Sequence, residues 1–273
     1  MKNIFIIFLC ASLLLCAREI SLLPDGKMHL YILDVDQGDS FFVVTPQGKH
    51  ILIDGGPNLS TLEHLGKYMS FFDRDIELVI VTHPDADHIT SLPNVLHRYT
   101  VNNILLSGAL HTSGRYQELL DTISQKEISV LLPSPTQDIL IDGITLDIIW
   151  PPPNIVGLHP SSQNNFSIVT RMMFGNDTIL FTGDIEEEAE QLILASGVNV
   201  RSTIMTAPHH GSRTSSSTGF LLEVNPDLIL ISAGKDNRYG HPHGDVLDRY
   251  TSLNIPIKTT PSLGTISMKF DGV

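Results

Sequence analysis

Apolar residues of this chain fall into short runs separated by polar and glycine-rich turns. Short runs predict strands, and longer stretches with apolar positions three or four apart predict helices. Strands are predicted at residues 28–35, 41–45, 50–54, 78–81, 104–106, 128–132, 145–150, 165–174, 178–181, 203–207, 228–232 and 264–270. Helices are predicted at residues 59–71, 87–98, 114–125, 185–195 and 246–252. Two clusters of strands, each accompanied by helices, predict one α/β domain (α+β in some schemes) with two packed sheets and helices outside.

The first seventeen residues differ from the rest. Lys2 is followed by an apolar run over residues 4–15, and Arg18 ends it. This layout predicts a signal peptide or an uncleaved N-terminal anchor over residues 1–17, ahead of a folded domain over residues 18–273. Ala17 could precede a cleavage point, and Cys16 could instead carry a lipid. We therefore expect an exported chain, extracellular or periplasmic, whose body is not an integral membrane protein, with the leader cleaved, lipidated or retained.

Charge and cysteine content narrow the class of function. The chain has 30 acidic and 17 basic residues and a formal net charge of −13. Such a surface repels phosphates, which counts against a protein that coats DNA but not against an enzyme with a locally neutralised cleft. Cys10 and Cys16 both lie in the N-terminal apolar run, so the body has neither disulfides nor a thiolate zinc cluster.

The most informative motif follows the predicted strand 78–81. His83, Asp85, Asp87 and His88 are four potential metal ligands within six residues. Imidazole and carboxylate groups are common ligands of divalent ions, and the spacing could serve two metals. The competing interpretation is an acidic helix N-cap with solvated histidines.

Three more strand ends carry polar residues. Asp184 ends the strand 178–181, and its carboxylate could bridge two ions or cap a helix. His209 and His210 end the strand 203–207, where one could complete a metal site and the other could bind substrate, although a surface loop is the alternative. Asp54 ends the strand 50–54 and could orient a ligand histidine or stabilise a turn.

A loop near the C-terminus concentrates positive and proton-transferring groups in this acidic chain. Guanidinium, ammonium and hydroxyl groups suit the recognition of phosphate or carboxylate, although a solvated loop is the alternative. The candidate substrate-binding residues are Arg213, Ser215, Lys235, Arg238 and His241, and His243 is a candidate proton donor.

Together these motifs resemble the metallo-β-lactamase fold. Whole phrases are similar to the C-terminal hydrolase domain of the competence protein ComEC, over roughly residues 28–270: residues 33–40, 82–88, 182–184, 208–212 and 237–243. The resemblance implies a four-layer αββα sandwich and hydrolysis by a bridging water or hydroxide at a binuclear site. It implies two ligand sets: His83, Asp85 and Asp184 for one metal, and Asp87, His88, Asp184 and His209 for the other.

The resemblance also implies catalytic roles. Asp87 would orient the hydroxide, and His210, His241 or His243 would protonate the leaving group. Which of His209 and His210 binds metal stays open. Asp85 stands where the superfamily pattern has histidine, and residues 164–167 lack its third-motif histidine. An oxygen-rich first pocket shifts the expected pair of divalent ions from zinc towards manganese or magnesium.

The preferred hypothesis is a phosphodiesterase or nuclease related to DNA uptake or degradation, with DNA or another phosphodiester as substrate. The alternatives are an exported hydrolase of a small lactone, lactam or ester, and a non-catalytic module that binds metal or ligand. An intact ligand set speaks against the module. Nothing in the pattern indicates the oligomeric state.

Overall fold

The computed structural model describes residues 2–134 and 137–273, and the strands in these residues form two seven-stranded sheets. The first contains β1 (Met28–Ile32), β2 (Phe41–Val44), β3 (His50–Ile53), β4 (Asp75–Val81), β5 (Thr100–Leu106), β6 (Ser129–Leu131) and β14 (Ile266–Phe270). The second contains β7 (Ile139–Ile141), β8 (Ile144–Trp150), β9 (Val169–Phe174), β10 (Asp177–Phe181), β11 (Ile204–Thr206), β12 (Leu228–Ile231) and β13 (Ile257–Thr259).

The helices connect these strands or flank them. They are α1 (Lys2–Ser21), α2 (Ser60–Tyr68), α3 (Ala86–Ile89), α4 (Leu92–Arg98), α5 (Gly114–Gln125), α6 (Glu187–Ser196), α7 (Thr218–Val224), α8 (Gly244–Ser252) and α9 (Thr260–Leu263). Short 3₁₀ turns occur at Pro153–Ile155, Asn164–Phe166 and Pro208–Gly211.

Each sheet joins an antiparallel half to a parallel half. The orders are β14-β1-β2-β3-β4-β5-β6 and β13-β12-β11-β10-β9-β8-β7. Strands β3 to β6 are parallel in the first sheet, and β10 to β13 are parallel in the second. The carboxyl ends of parallel strands meet at one edge of a sheet, which is where open α/β sheets bind ligands.

Side chains of successive residues in a strand face opposite sides, and this alternation builds four layers. In β4, Leu78 and Ile80 enter the core between the two sheets, whereas Val79 and Val81 pack under the first sheet's helices. Leu65 of α2 and Leu119 of α5 cover that outer face. Helices α6, α7 and α8 cover the second sheet in the same way, through Ala189, Phe220 and Tyr250 among others. The predicted αββα sandwich is confirmed.

The predicted helix over residues 87–98 is two helices in the structure. Helix α3 ends at Ile89 and α4 begins at Leu92, with Pro93 in its first turn. Proline has no N–H to continue a preceding helix but is well accommodated in a first turn. One helix therefore ends before Pro93, and a new helix begins there. The break leaves a single short turn of helix carrying Asp87 and His88.

Several short elements were not predicted. They are β7, β13, α7 and α9, none longer than seven residues. The predicted strand over residues 165–174 was too long, because residues 164–166 form a 3₁₀ turn and β9 starts at Val169.

The predicted leader is helical in the structure, although its first residue, Met1, lies outside the described residues. Within the part of the chain that is described, no helix combines the length and apolarity that crossing a membrane requires.

Candidate metal centre

The site is assembled from the carboxyl ends of parallel strands in both sheets. Residues 83–88 follow β4, and Asp54 follows its neighbour β3. In the second sheet Asp184 follows β10, and His209 and His210 follow β11. The two edges face each other, so residues far apart in sequence converge at the seam between the sheets.

One carboxylate oxygen, Asp184 Oδ2, lies at the centre of four imidazoles. Its distances to the Nε2 atoms are 3.4 Å for His88, 3.5 Å for His210 and 3.8 Å for both His83 and His209. Asp87 Oδ2 approaches the same group, 3.5 Å from His210 Nε2 and 4.0 Å from His88 Nε2. A single carboxylate therefore contacts a cluster on which both sheets converge.

Several polar atoms in this cluster are buried without a hydrogen-bond partner. They are the Nε2 atoms of His83, His88 and His210, His209 Nδ1 and Asp184 Oδ1. Buried polar atoms are nearly always satisfied in folded proteins, so each such group calls for an explanation such as an ion. Imidazole nitrogens and carboxylate oxygens suit divalent cations, and the groups His83/His88/Asp184 and Asp87/His88/His210 each lie close enough to hold one. The residues present fit such metals.

Two buried carboxylates orient histidines of the cluster by contacting their Nδ1 atoms, which lie on the far side of each ring from Asp184. Asp54 Oδ2 lies 2.8 Å from His88 Nδ1, and Asp54 itself is held by the N–H and hydroxyl of Thr82. Asp39 Oδ1 lies 3.2 Å from His210 Nδ1, which is also 3.0 Å from the carbonyl of Ser232. When Nδ1 carries the proton, the lone pair of Nε2 faces the centre, as a metal ligand requires.

The electrostatics of the cluster follow from its burial. Burial lowers the pKa of His83 to about 3, with help from the neighbouring His88. Burial also opposes charge on His88 and His210, but the carboxylates around them outweigh it and raise the pKa of both well above the usual value. These imidazoles in turn hold the pKa of Asp184 well below its usual range, despite burial. The raised pKa values therefore favour the protonated form of His88 and His210 in the metal-free protein.

Asp85 is the most exposed of the four motif ligands. Its side chain is 42% exposed, and its Oδ2 lies 3.8 Å from His83 Nε2. Burial raises the pKa of this carboxyl. The position is consistent with a ligand at the open side of the site.

Asn165, in the segment where the superfamily has a further histidine, is engaged elsewhere. Its Nδ2 donates to Glu188 Oε2 at 3.1 Å, and its Oδ1 accepts from the N–H of Glu186. Its carbonyl accepts from Trp150 Nε1. Asn165 therefore fastens a loop to the start of α6 and supplies no atom to the cluster.

A second group of histidines lies beside the cluster. His209 has Nδ1 3.5 Å from Glu186 Oε1, and its ring centroid is 5.4 Å from that of His241. The ring centroid of His241 is 4.8 Å from that of His243. Burial, followed by the charge of His210, lowers the pKa of His241 to about 4. His243 Nδ1 accepts from the N–H of Arg213 at 3.1 Å, so Nε2 carries the proton in its neutral form.

A cleft of about 520 Å³ opens next to Asp87. Three cationic side chains, Lys235, Arg238 and Arg115, line it together with the exposed ring of Tyr239. Three carboxylates, Asp36, Asp87 and Asp236, line it as well. The Arg238 guanidinium lies 4.8 Å from the centre of that ring. The cleft therefore offers guanidinium and ammonium groups and an aromatic face beside the metal ligands, with carboxylates among them.

Two predicted substrate-binding residues lie elsewhere. Arg213 is exposed but does not line the cleft. Ser215 is buried, and its hydroxyl donates to the carbonyl of Ile185 at 2.9 Å. The structure thus brings together all the candidate ligands, with Lys235, Arg238 and His241 close by, but not these two.

Close backbone packing holds the motif turn in place. Gly38 has φ of 148°, and a Cβ there would meet the carbonyl oxygen of Asp87 at 2.1 Å. Only glycine allows this approach. His209 and His210 both have positive φ, 50° and 57°, which turns their adjacent side chains in different directions.

Sequence reasoning missed three residues of this site. Asp39 lies in the loop between β1 and β2 and is buried against His210. It stands near one end of a predicted strand, as Asp54 does, and this position could have marked it as a candidate. Arg115 and Tyr239 line the cleft. Arg115 begins α5, far along the chain from any motif, and no local pattern marks it.

The fold and the histidine–carboxylate cluster define a class of metal-dependent hydrolase. The family model described as "Metallo-beta-lactamase superfamily" matches residues 33–234, and the chain belongs to this superfamily. This superfamily includes metal-dependent hydrolases.

Two curated relatives cover nearly all of the chain. ComE operon protein 3 of Bacillus subtilis is 28% identical over 90% of this chain and 33% of its own length. Recombination protein 2 of Haemophilus influenzae is 26% identical over 97% of this chain and 31% of its own length. The chain thus spans about a third of the length of these relatives.

Solved structures share the fold at low identity. The metallo-beta-lactamase fold protein YhfI of Bacillus subtilis superposes with a TM-score of 0.57 at 10% identity, over 89% of this chain and 99% of its own. This likeness extends to the sandwich as a whole.

Proposed function

We propose that this chain is a phosphodiesterase that cleaves single-stranded DNA at a binuclear metal site. The observation that carries the proposal is the convergence of unpartnered imidazole nitrogens on Asp184, beside a cleft lined with cations. The name of the Haemophilus influenzae relative, which refers to recombination, supports a DNA substrate.

The geometry supports a specific division of the ligands. His83, Asp85 and Asp184 would hold one cation, and Asp87, His88, Asp184 and His210 the other. His210 replaces His209 in the second set because its Nε2 is buried and without a partner 3.5 Å from both Asp87 and Asp184. Divalent cations held there would activate a water for attack and offset the charge of a phosphate.

The chain's own groups serve the proton transfers. The pKa of Asp87 is held below its usual range, since hydrogen bonding to His210 and the charge of His88 outweigh burial. Asp87 therefore stays ionised and can orient the attacking water. His209 lies between Asp184 and Glu186: its Nε2 is 3.8 Å from Asp184 Oδ2, and its Nδ1 is 3.5 Å from Glu186 Oε1. We assign His209 as the donor of the proton to the leaving oxygen when the P–O bond breaks.

The cleft favours a single strand over a duplex. Lys235, Arg238 and Arg115 would pair with successive phosphates. The ring of Tyr239 is about half exposed and can stack on an unpaired base, a contact that a paired base does not offer. A small lactone or ester would use neither feature, which is why we place the phosphodiester first.

The function is tested with the purified full chain loaded with manganese, zinc or magnesium. Substrates are labelled single-stranded and duplex DNA, a chromogenic phosphodiester, a lactone and a β-lactam. We expect cleavage of the single strand to be the fastest. If DNA stays intact under every metal while the lactone or lactam is hydrolysed, the proposal is wrong.

Matched variants locate the activity. Asp184→Asn removes the central carboxylate, and we expect a loss of at least about 10²-fold in activity, because both ligand sets lose a member. Asp177→Asn makes the same chemical change at the other end of β10 and should leave activity unchanged. Equal activity of the two variants would exclude the proposed site.

The roles of the paired histidines are separable by metal content. His210→Ala should halve the bound metal, whereas His209→Ala should keep both ions and lose turnover. Metal is counted by mass spectrometry after removal of the free ion. The opposite pattern would return His209 to the ligand set.

A further inference from the structure

Helix α1 is apolar around most of its circumference. The exposed apolar side chains among its described residues include Ile4, Ile6, Ile7, Leu9, Leu13, Leu14 and Leu15. At 3.6 residues per turn these positions cover about two thirds of the circumference rather than one stripe. One partner helix would cover only one stripe, whereas a surrounding apolar phase covers all of them.

The base of α1 is fixed to the body. Arg18 Nη2 donates to the carbonyls of Gly66 and Met69, at 2.7 and 3.0 Å, and so caps the carboxyl end of α2. The Glu19 carboxylate accepts from the N–H of Phe71 and from the hydroxyl of Ser70. These contacts hold the end of α1 against the loop between α2 and β4.

That loop presents a second apolar surface at the same place. Phe71 and Phe72 are 60% and 79% exposed, and their rings pack edge to face. Arg74 lies over the rings of Phe71 and Tyr99, and a shallow groove beside them is lined by Leu15 and Arg98 among others. Aromatic rings next to guanidinium groups match the boundary between acyl chains and phosphate headgroups.

The loop and the metal site lie at opposite ends of one strand. Phe72 precedes the amino end of β4, and His83 follows its carboxyl end. The seven residues of the strand separate its two ends by about 20 Å. A surface that contacts the loop therefore faces away from the cleft.

We propose that α1 is retained and enters a lipid bilayer, with Phe71 and Phe72 at the bilayer surface. The clamp formed by Arg18 and Glu19 sets the orientation of the body. The metal site then points into the aqueous phase, where a dissolved substrate reaches it. This holds whatever the substrate is.

The test uses the full chain, purified in detergent and reconstituted with phosphatidylcholine vesicles. Phe72→Trp places a fluorophore in the loop, and Tyr239→Trp places one at the cleft; the native Trp150 supplies a constant background. Vesicles with brominated acyl chains quench a tryptophan at the bilayer surface. We expect the chain to float with the vesicles and the Phe72→Trp emission to fall more than twofold, with Tyr239→Trp unchanged relative to the parent.

A double variant tests the clamp. Arg18→Ala with Glu19→Ala, in the Phe72→Trp background, should still float but should lose the quenching, because α1 no longer fixes the body. The proposal is overturned if the chain stays at the bottom of the gradient, or if Phe72→Trp and Tyr239→Trp are quenched equally. Release of a body that starts at Arg18, seen by mass analysis of the chain produced in cells, overturns it too.

Discussion

At the scale of single residues, the motif positions were predictable, but the direction of their side chains was not. Ligand types at the ends of predicted strands were expected to converge, because parallel strands end at a common edge. The left-handed backbone at His209 and His210 has no signature in a run of two histidines followed by glycine. It lets the two adjacent side chains approach Asp184 from different directions, with His210 buried and His209 partly exposed, and only the structure shows it.

Asp39 is predicted to govern metal affinity without contacting metal. Asp39→Asn weakens the contact with His210 Nδ1 that aims Nε2 into the site. We expect metal affinity to fall by about 10–100-fold. Competition with a fluorescent chelator measures the affinity. Asp34→Asn changes an exposed carboxylate five residues earlier and is the control; equal affinities for the two variants would contradict the role.

Metal binding is predicted to release protons and to strengthen as pH rises. The raised pKa of His88 and His210 means that both hold a proton in the metal-free protein, and a protonated imidazole cannot bind a cation. Affinity should climb until the pH exceeds these raised values. Asp184 stays ionised throughout and contributes nothing to this dependence.

Calorimetry at pH 7 in two buffers of different ionisation enthalpy counts the protons released. His241→Ala is the matched control, because the pKa of His241 is lowered to about 4 and it holds no proton at pH 7. Binding heats that do not depend on the buffer would contradict the prediction.

At the scale of elements, long periodic segments were predicted well and short ones were not. The strands of the sandwich core were found, since their apolar runs are buried on both faces. Three-residue edge strands such as β7 and β13 carry too few residues for a pattern. The break before Pro93 was missed because the apolar spacing continues across it, although the missing N–H forbids a single helix.

Two glycines are predicted to respond to alanine in opposite ways. Gly38→Ala drives a methyl group into the Asp87 carbonyl, and we expect a loss of about 1–3 kcal/mol in the free energy of unfolding. The methyl group of Gly66→Ala would enter open space on α2. The higher helix propensity of alanine should therefore raise the free energy of unfolding by up to about 1 kcal/mol. Denaturant unfolding of both metal-free variants gives the two changes in the free energy of unfolding. Changes of the same sign would contradict the packing argument.

At the scale of the whole molecule, an acidic chain gathers three cationic side chains at one cleft, where three carboxylates balance them. The formal net charge is −13, yet Lys235, Arg238 and Arg115 line one opening. Repulsion elsewhere limits non-specific binding, so nucleic acid should be held mainly at the cleft.

The salt dependence of DNA binding tests this arrangement. Lys235→Gln removes one phosphate contact, and the slope of log affinity against log salt should shrink by about 0.7 for a single strand. Anisotropy of a labelled, cleavage-resistant phosphorothioate strand measures it. Lys126→Gln changes an exposed lysine at the end of α5 and should keep the parent slope. If the two variants have the same salt dependence of DNA affinity, the DNA does not bind at the cleft.

The convergence on Asp184 also bears on how the two sheets stay together. Beyond the two cysteines of the leader the sequence has none, so no disulfide can join the halves of the body. A cation held by His88 from the first sheet and by Asp184 and His210 from the second would act as such a cross-link. Its strength would follow the free metal concentration, and metal supply would then set the lifetime of the fold as well as the rate of the reaction.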